Sequence, residues 1–138
     1  MIQSEWRQSI DTVTGPQTLD RIHGCLNELW VDHGEIPDDV RMDVTVAASE
    51  IGSNIVEHSA HGQAVRLDIE VRLTPQRIEI VFTDDGNPAA VDLNSVSLPG
   101  VLADRGRGLA IAKGILDELS YRRDNDRNHW LLAHRRFA

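Results

Sequence analysis

Apolar positions along this chain change their period at identifiable places. From Glu5 to Val13, Trp6, Ile10 and Val13 alternate loosely with polar residues and predict a strand. After the Gly15-Pro16 break, Leu19, Ile22, Leu26, Leu29 and Trp30 recur at helical spacing. Pro16 suits the first turn of that helix, and His33-Gly34 supplies a stop. Pro37-Asp38-Asp39 opens a second helix, with acids in the first turn where the macrodipole favours them. It is expected to run to about His58, with Gly62 closing it. Val65, Leu67, Ile69, Val71 and Leu73 alternate with Arg66, Asp68, Glu70 and Arg72, a half-buried strand. Across Thr74-Pro75-Gln76, residues Arg77 to Thr83 repeat the alternation and complete a hairpin.

From Asp84 to Arg107 no period is sustained, and glycine and proline recur. A connection that long in a small domain is either functional or hides a misread element. Gly108 to Leu119 predicts a third helix, with Leu109, Ile111, Ala112, Ile115 and Leu116 as its apolar set. Ser120 to Arg123 and His129 to Ala133 predict a last hairpin around Asp124-Asn125-Asp126. The order implies an α+β fold: a two-layer sandwich, with a mostly antiparallel sheet and helices on one face.

The chain has 138 residues, 22 acidic against 14 basic, and a formal charge of −8. This length fits one domain, residues 1–138, and Met1 suggests a complete start. The acidity argues against nucleic acid or an anionic membrane as the main partner. No apolar stretch is long enough to span a bilayer, and no secretory signal is expected. The lone Cys25 can form no internal disulfide; it is expected in the core, in a reducing, intracellular setting. Trp6, Trp30 and Trp130 are expected as core or interface anchors. Arg122, Arg123, Arg127, His134, Arg135 and Arg136 are expected on the exposed side of the last hairpin, where an acidic partner is an alternative reading.

Candidate chemistry begins on the second helix. Val40, Val44, Ala47, Ile51 and Ile55 form a core stripe. Beside it runs a row four residues apart, Met42, Val46, Glu50, Asn54 and His58, which starts apolar and turns polar. Staying beside the core stripe, its polar members are expected to face a cleft; a solvated flank is the plainer reading. Two glycine motifs follow. Asp84-Asp85-Gly86-Asn87-Pro88 ends a strand, and a carboxylate there can accept from an exocyclic amine while Gly86 admits a flat ring. It is equally an ordinary Asp-Gly turn. Gly106-Arg107-Gly108-Leu109 opens a helix, where exposed N–H groups favour anions. The P-loop pattern is absent.

Taken in order, Glu50-x-x-x-Asn54-x-x-x-His58, Asp84-x-Gly86 and Gly106-x-Gly108 resemble the N, G1 and G2 boxes of the GHKL (Bergerat-fold) ATPase superfamily of gyrase, histidine kinases and MutL. The short form is similar to the stand-alone anti-sigma-factor serine/threonine kinases. Where that family commonly places an aromatic and an acid after Pro88, this chain has Ala89-Ala90.

The resemblance implies an ATP-dependent protein serine/threonine kinase and anti-sigma factor in the bacterial cytoplasm. ATP and Mg²⁺ would be its cofactors, a sigma factor and a STAS-type anti-anti-sigma substrate its partners, and a homodimer its assembly, with no direct nucleic-acid or membrane contact. It implies Glu50 as the base or orienting group and Asn54 as the Mg²⁺ ligand. Asp84 would receive the adenine amine beside Gly86. His58, Arg105, Gly106, Arg107, Gly108 and Leu109 would complete the nucleotide site, under a lid at about 88–107. His58 has a plainer role at a helix terminus. The alternative function is a nucleotide-gated protein-binding module without catalysis.

Overall fold

The structure, a computed structural model, describes residues 4–59, 63–89 and 104–137, with the side chains of residues 58–59 and 104–106 excepted. In chain order the elements are β1 (Trp6–Val13), α1 (Thr18–Asp32), α2 (Asp38–Asn54) running into one π-helical turn (Ile55–Ser59), β2 (Arg66–Leu73), β3 (Arg77–Asp84), α3 (Asp104–Ile115), β4 (Glu118–Asp124) and β5 (Arg127–Arg135). The sheet order is β1-β2-β3-β5-β4, and every neighbouring pair is antiparallel. The expected α+β architecture is therefore present.

Strand alternation decides which face is covered. Leu67, Ile69, Val71 and Leu73 of β2, Ile78, Ile80 and Phe82 of β3, and Trp130 and Leu132 of β5 are buried in one cluster with Ile22, Leu26 and Leu29 of α1, the α2 stripe, and Leu109 and Ala112 of α3. The opposite face carries Asp68, Glu70, Glu79 and Thr83. Gly52 lets α1 lie close to α2: a Cβ there would stand 2.7 Å from Ile22 Cδ1. Cys25 is buried, and its thiol is pushed up to about 11 by desolvation, so it is core and unreactive. Trp130 is buried; Trp6 and Trp30 are partly buried against the core.

Three expectations are corrected. The third helix spans Asp104–Ile115, not Gly108 to Leu119. The sheet captures its expected last turn: the Asp117 N–H donates to Ala133 O, and Glu118 and Leu119 pair with Ala133 and Leu132. The last hairpin is longer than expected, because Asn125 and Asp126 alone make the turn, at φ 53° and 61°. Left-handed φ at both positions matches the twist of the flanking strands. Finally, His134 and Arg136 are buried, not on the exposed side. His134 falls in the inward phase of β5, and its Nε2 lies 3.0 Å from Asp43 Oδ2. Arg136 donates to Glu5 at 2.8 Å, Thr74 O at 3.0 Å and Glu35 at 2.7 Å. It clasps segments remote in sequence, which is why hairpin periodicity could not place it. Gly62 and residues 90–103 lie outside the described residues.

Candidate active site

The polar row on α2 turns inward along its length. Its first member does not stay beside the core: Met42 is 67% exposed. Val46 is at 37%, Glu50 is partly buried, and Asn54 is at 7%. A straight helix drifts relative to a four-residue spacing, because four residues overshoot one turn. The row therefore rotates from the outer flank towards the covered side. Asn54 ends the regular helix, and its Oδ1 is buried with no hydrogen-bond partner among the described residues. A π-helical turn follows at once, a feature frequent at functional sites. His58 belongs to that turn, and its side chain lies outside the described residues.

Gly108 meets this row from α3. A Cβ built on it would overlap Glu50 Oε2 and stand 3.4 Å from Glu50 Cδ. The glycine thus leaves room for the carboxylate in the place it holds, and a side chain there would make Glu50 shift. Because α3 begins at Asp104, the N–H groups of residues 104–106 in its first turn have no acceptor within the helix. Gly106 and Arg107 lie within that turn, while Gly108 lies just past it. Arg107 is exposed, whereas the Leu109 side chain belongs to the core. The Arg105 and Gly106 side positions lie outside the described residues.

The other half of the site sits at the end of β3. Asp84 is the last residue of that strand and continues the inward phase of Ile78, Ile80 and Phe82, so its carboxylate points to the helix side and is 1% exposed. Its Oδ1 accepts from the Gly86 N–H at 2.8 Å and from Asn128 Nδ2 at 2.9 Å. Gly86 is buried at the turn. Glu50, Asn54, Asp84 and Gly108 therefore all lie on the covered side of the sheet, with Glu50 and Gly108 in direct contact. A groove of about 480 Å³ between β1 and α1, lined by Trp6, Arg7, Asn27 and Val31, contains none of them.

Sequence reasoning missed Asn128, Tyr121 and Arg123. Asn128 falls outside both the expected turn and the expected strand, yet it is the second residue of β5 and 1% exposed. The missed signal was its phase, two residues before Trp130 and four before Leu132, both buried.

Among the described residues no group of three or more His, Cys, Asp or Glu could hold a metal by itself. Asn54 Oδ1 is a hard oxygen donor with an unfilled valence. That fits Mg²⁺, which takes one or two protein ligands and completes its shell with phosphates and water. No helix among the described residues is long and apolar enough to cross a membrane.

The family model described as "Histidine kinase-like ATPase domain" matches residues 15–133. No curated protein matches the chain. Among solved structures, the RsbU and RsbW domains of Rv1364c from Mycobacterium tuberculosis superpose with a TM-score of 0.66 at 17% identity. That match covers 96% of this chain but 33% of the other, so the chain spans about a third of that protein's length.

Proposed function

Since this chain belongs to the histidine kinase-like ATPase domain family, we propose that it is an ATP-dependent protein serine/threonine kinase and anti-sigma factor of a bacterial partner-switching system. Its substrate is a STAS-type anti-anti-sigma protein, and its other partner a sigma factor, which it holds as a homodimer in the cytoplasm. The RsbW-containing neighbour and the resemblance to anti-sigma-factor kinases support this reading. The observation that carries it is Gly108 lying against the Glu50 carboxylate, with the unpaired Asn54 oxygen one turn further along α2.

Each residue then has a defined task. Asp84 accepts from the adenine amine, and Gly86 lets the ring lie on the backbone. The first turn of α3, including Gly106 and Arg107, offers N–H groups and a guanidinium to the phosphates. Asn54 Oδ1 holds Mg²⁺, which when bound offsets phosphate charge. Glu50 orients the attacking hydroxyl and takes its proton. Gly108 contributes by leaving room for that carboxylate. Catalysis on this plan is positioning and electrostatics, since phosphoryl transfer needs little covalent help.

The test is transfer of labelled phosphate from ATP to a STAS-type protein. Wild type is expected to transfer, and Glu50→Ala to lose about 100-fold or more while still binding ATP, the usual range for a general base. Equal transfer by both refutes the role of Glu50. Tight ATP binding with no transfer in a single turnover establishes the nucleotide-gated binding module instead.

A further inference from the structure

We propose that Tyr121, Arg123 and Asn128, all on the β4–β5 hairpin, are positioning residues that clamp the Asp84–Ala89 turn for base recognition. The clamp sets the preference for a 6-amino purine from the edge of the sheet. This rests on the reading of Asp84 as acceptor of the adenine amine.

Four hydrogen bonds from the hairpin reach the stretch Asp84–Ala89, and two more tie the three hairpin side chains together. Asn128 Nδ2 donates to Asp84 Oδ1 at 2.9 Å and to Asn87 O at 2.8 Å. Asn128 Oδ1 accepts from the Tyr121 hydroxyl at 2.5 Å and from Arg123 Nη1 at 3.1 Å. The same Arg123 nitrogen donates to Gly86 O at 2.8 Å, and the Tyr121 oxygen accepts from the Ala89 N–H at 2.9 Å. The partners also fix the amide's orientation. A guanidinium only donates and a carboxylate only accepts, so the oxygen must face Arg123 and the nitrogen must face Asp84. An aspartate here would set a second carboxylate against Asp84, and a serine would supply one donor where two are used.

The register makes this possible. Asp84 pairs with Asn128 across β3–β5, and Arg123 pairs with Asn128 across β4–β5. One amide thus stands between the strand that carries the base acceptor and the edge strand β4. Tyr121 is steadied in turn by Trp130, with ring centroids 4.7 Å apart. The hydrogen bonds given above run to the turn and within the hairpin.

A clamp for the base and a staple for the fold make different predictions. ATP and inosine triphosphate carry the same phosphates but differ at the purine 6-position, an amine against a carbonyl. Dissociation constants for the two Mg-nucleotides, measured by calorimetry on the full chain, give a preference ratio. Tyr121→Phe keeps the ring on Trp130 and removes only the hydroxyl. Arg123→Met removes a guanidinium from an exposed side chain, and the fold is expected to survive its loss.

Wild type is expected to favour ATP by about tenfold or more, since a misaligned carbonyl leaves a buried acceptor facing an acceptor. Each variant is expected to lower that ratio about fivefold, the worth of one ordinary hydrogen bond. An equal loss for both nucleotides, or no loss, overturns the clamp while leaving the kinase reading standing. A wild type with no preference overturns the Asp84 assignment and the clamp with it. A wild type that binds neither nucleotide overturns the ATP reading as well.

Discussion

Two buried asparagines in this molecule have opposite hydrogen-bond surroundings. Asn128, at the start of β5, has two donors facing its oxygen and two acceptors facing its nitrogen. Asn54, at the end of α2, keeps a buried oxygen with no partner among the described residues. Leaving a buried acceptor unfilled costs about 1–3 kcal/mol, so it persists only where something compensates. Asn128 is compensated within the fold. At Asn54 the compensation is expected from a ligand, and the π-helical turn that follows is a second local departure at the same point. On the proposed function, the contrast separates an amide that holds structure from one that would take a cation.

Asn54→Ala tests the contrast most severely. Binding of Mg-ATP is expected to weaken at least ~100-fold, roughly 2.7 kcal/mol. The nucleotide-free protein is expected to melt at the same temperature or higher, since the substitution removes an unpaired acceptor and improves helix propensity. Calorimetric titration and thermal melting measure both. A lower melting temperature with intact nucleotide binding would make Asn54 a structural residue and end the contrast.

Asn128→Ala should do the reverse. It leaves buried Asp84 short of a donor, and Tyr121, Arg123 and Asn87 each short of a partner nearer the surface, and about 2 kcal/mol of stability is expected to go. Denaturant unfolding at equal slope measures it. A loss as small as that of a surface substitution would mean that water replaces the amide freely.

The difference between the two sites also governs what the sequence could disclose. Asn54 was legible because helical spacing alone puts it one turn from Glu50, and the row Met42, Val46, Glu50, Asn54 needs no knowledge of the sheet. The elements were legible for the same reason: β2 and β3 alternate cleanly, and the α2 stripe is buried throughout. Asn128 was not, because its partners come from three strands and its meaning depends on register. The end of α3 was misread because Leu116 and Leu119 suit a helix face as well as a strand, and only pairing with β5 decides between them. Arg136 was misread because its carboxylate partners, Glu5 and Glu35, lie more than 100 residues away in sequence.

A smaller substitution sharpens the comparison without touching either asparagine. Asp126 holds a left-handed φ of 61° in the turn that leads into Asn128. Glycine adopts that conformation without a Cβ penalty, and Asn-Gly is the favoured pair for this turn type. Asp126→Gly is expected to stabilise the fold by about 0.5–1 kcal/mol, net of the extra freedom of the unfolded chain. Mg-ATP affinity is expected to hold, and a lower unfolding midpoint would contradict the account of the hairpin.

The smallest effect concerns a third way of filling a valence, with a shared proton. Asp11 and Asp68 face one another across β1–β2 on the open side of the sheet. Burial, then the hydrogen bond and charge of Asp11, hold the Asp68 carboxyl above the ordinary aspartate range. The bond from Asp68, then Arg66, holds Asp11 below it. The signs follow from linkage. A raised carboxyl stabilises the fold below its unfolded value, and that contribution is lost as the pH rises through the folded one. A lowered carboxyl stabilises above its unfolded value, and that contribution is lost as the pH falls through the folded one. Between the two folded values both contributions favour the fold, and part of that is lost as the pH rises through the Asp68 value, where the two charges come to oppose each other. Asp68→Asn keeps a donor towards Asp11 and removes the upper titration. At neutral pH the variant is expected to be more stable by a few tenths of a kcal/mol, because solvent screens a pair this open. That advantage should shrink as the pH falls through the Asp68 value. Melting curves of both proteins over that range decide it, and a variant less stable than wild type at neutral pH would show that the two carboxyls do not share a proton.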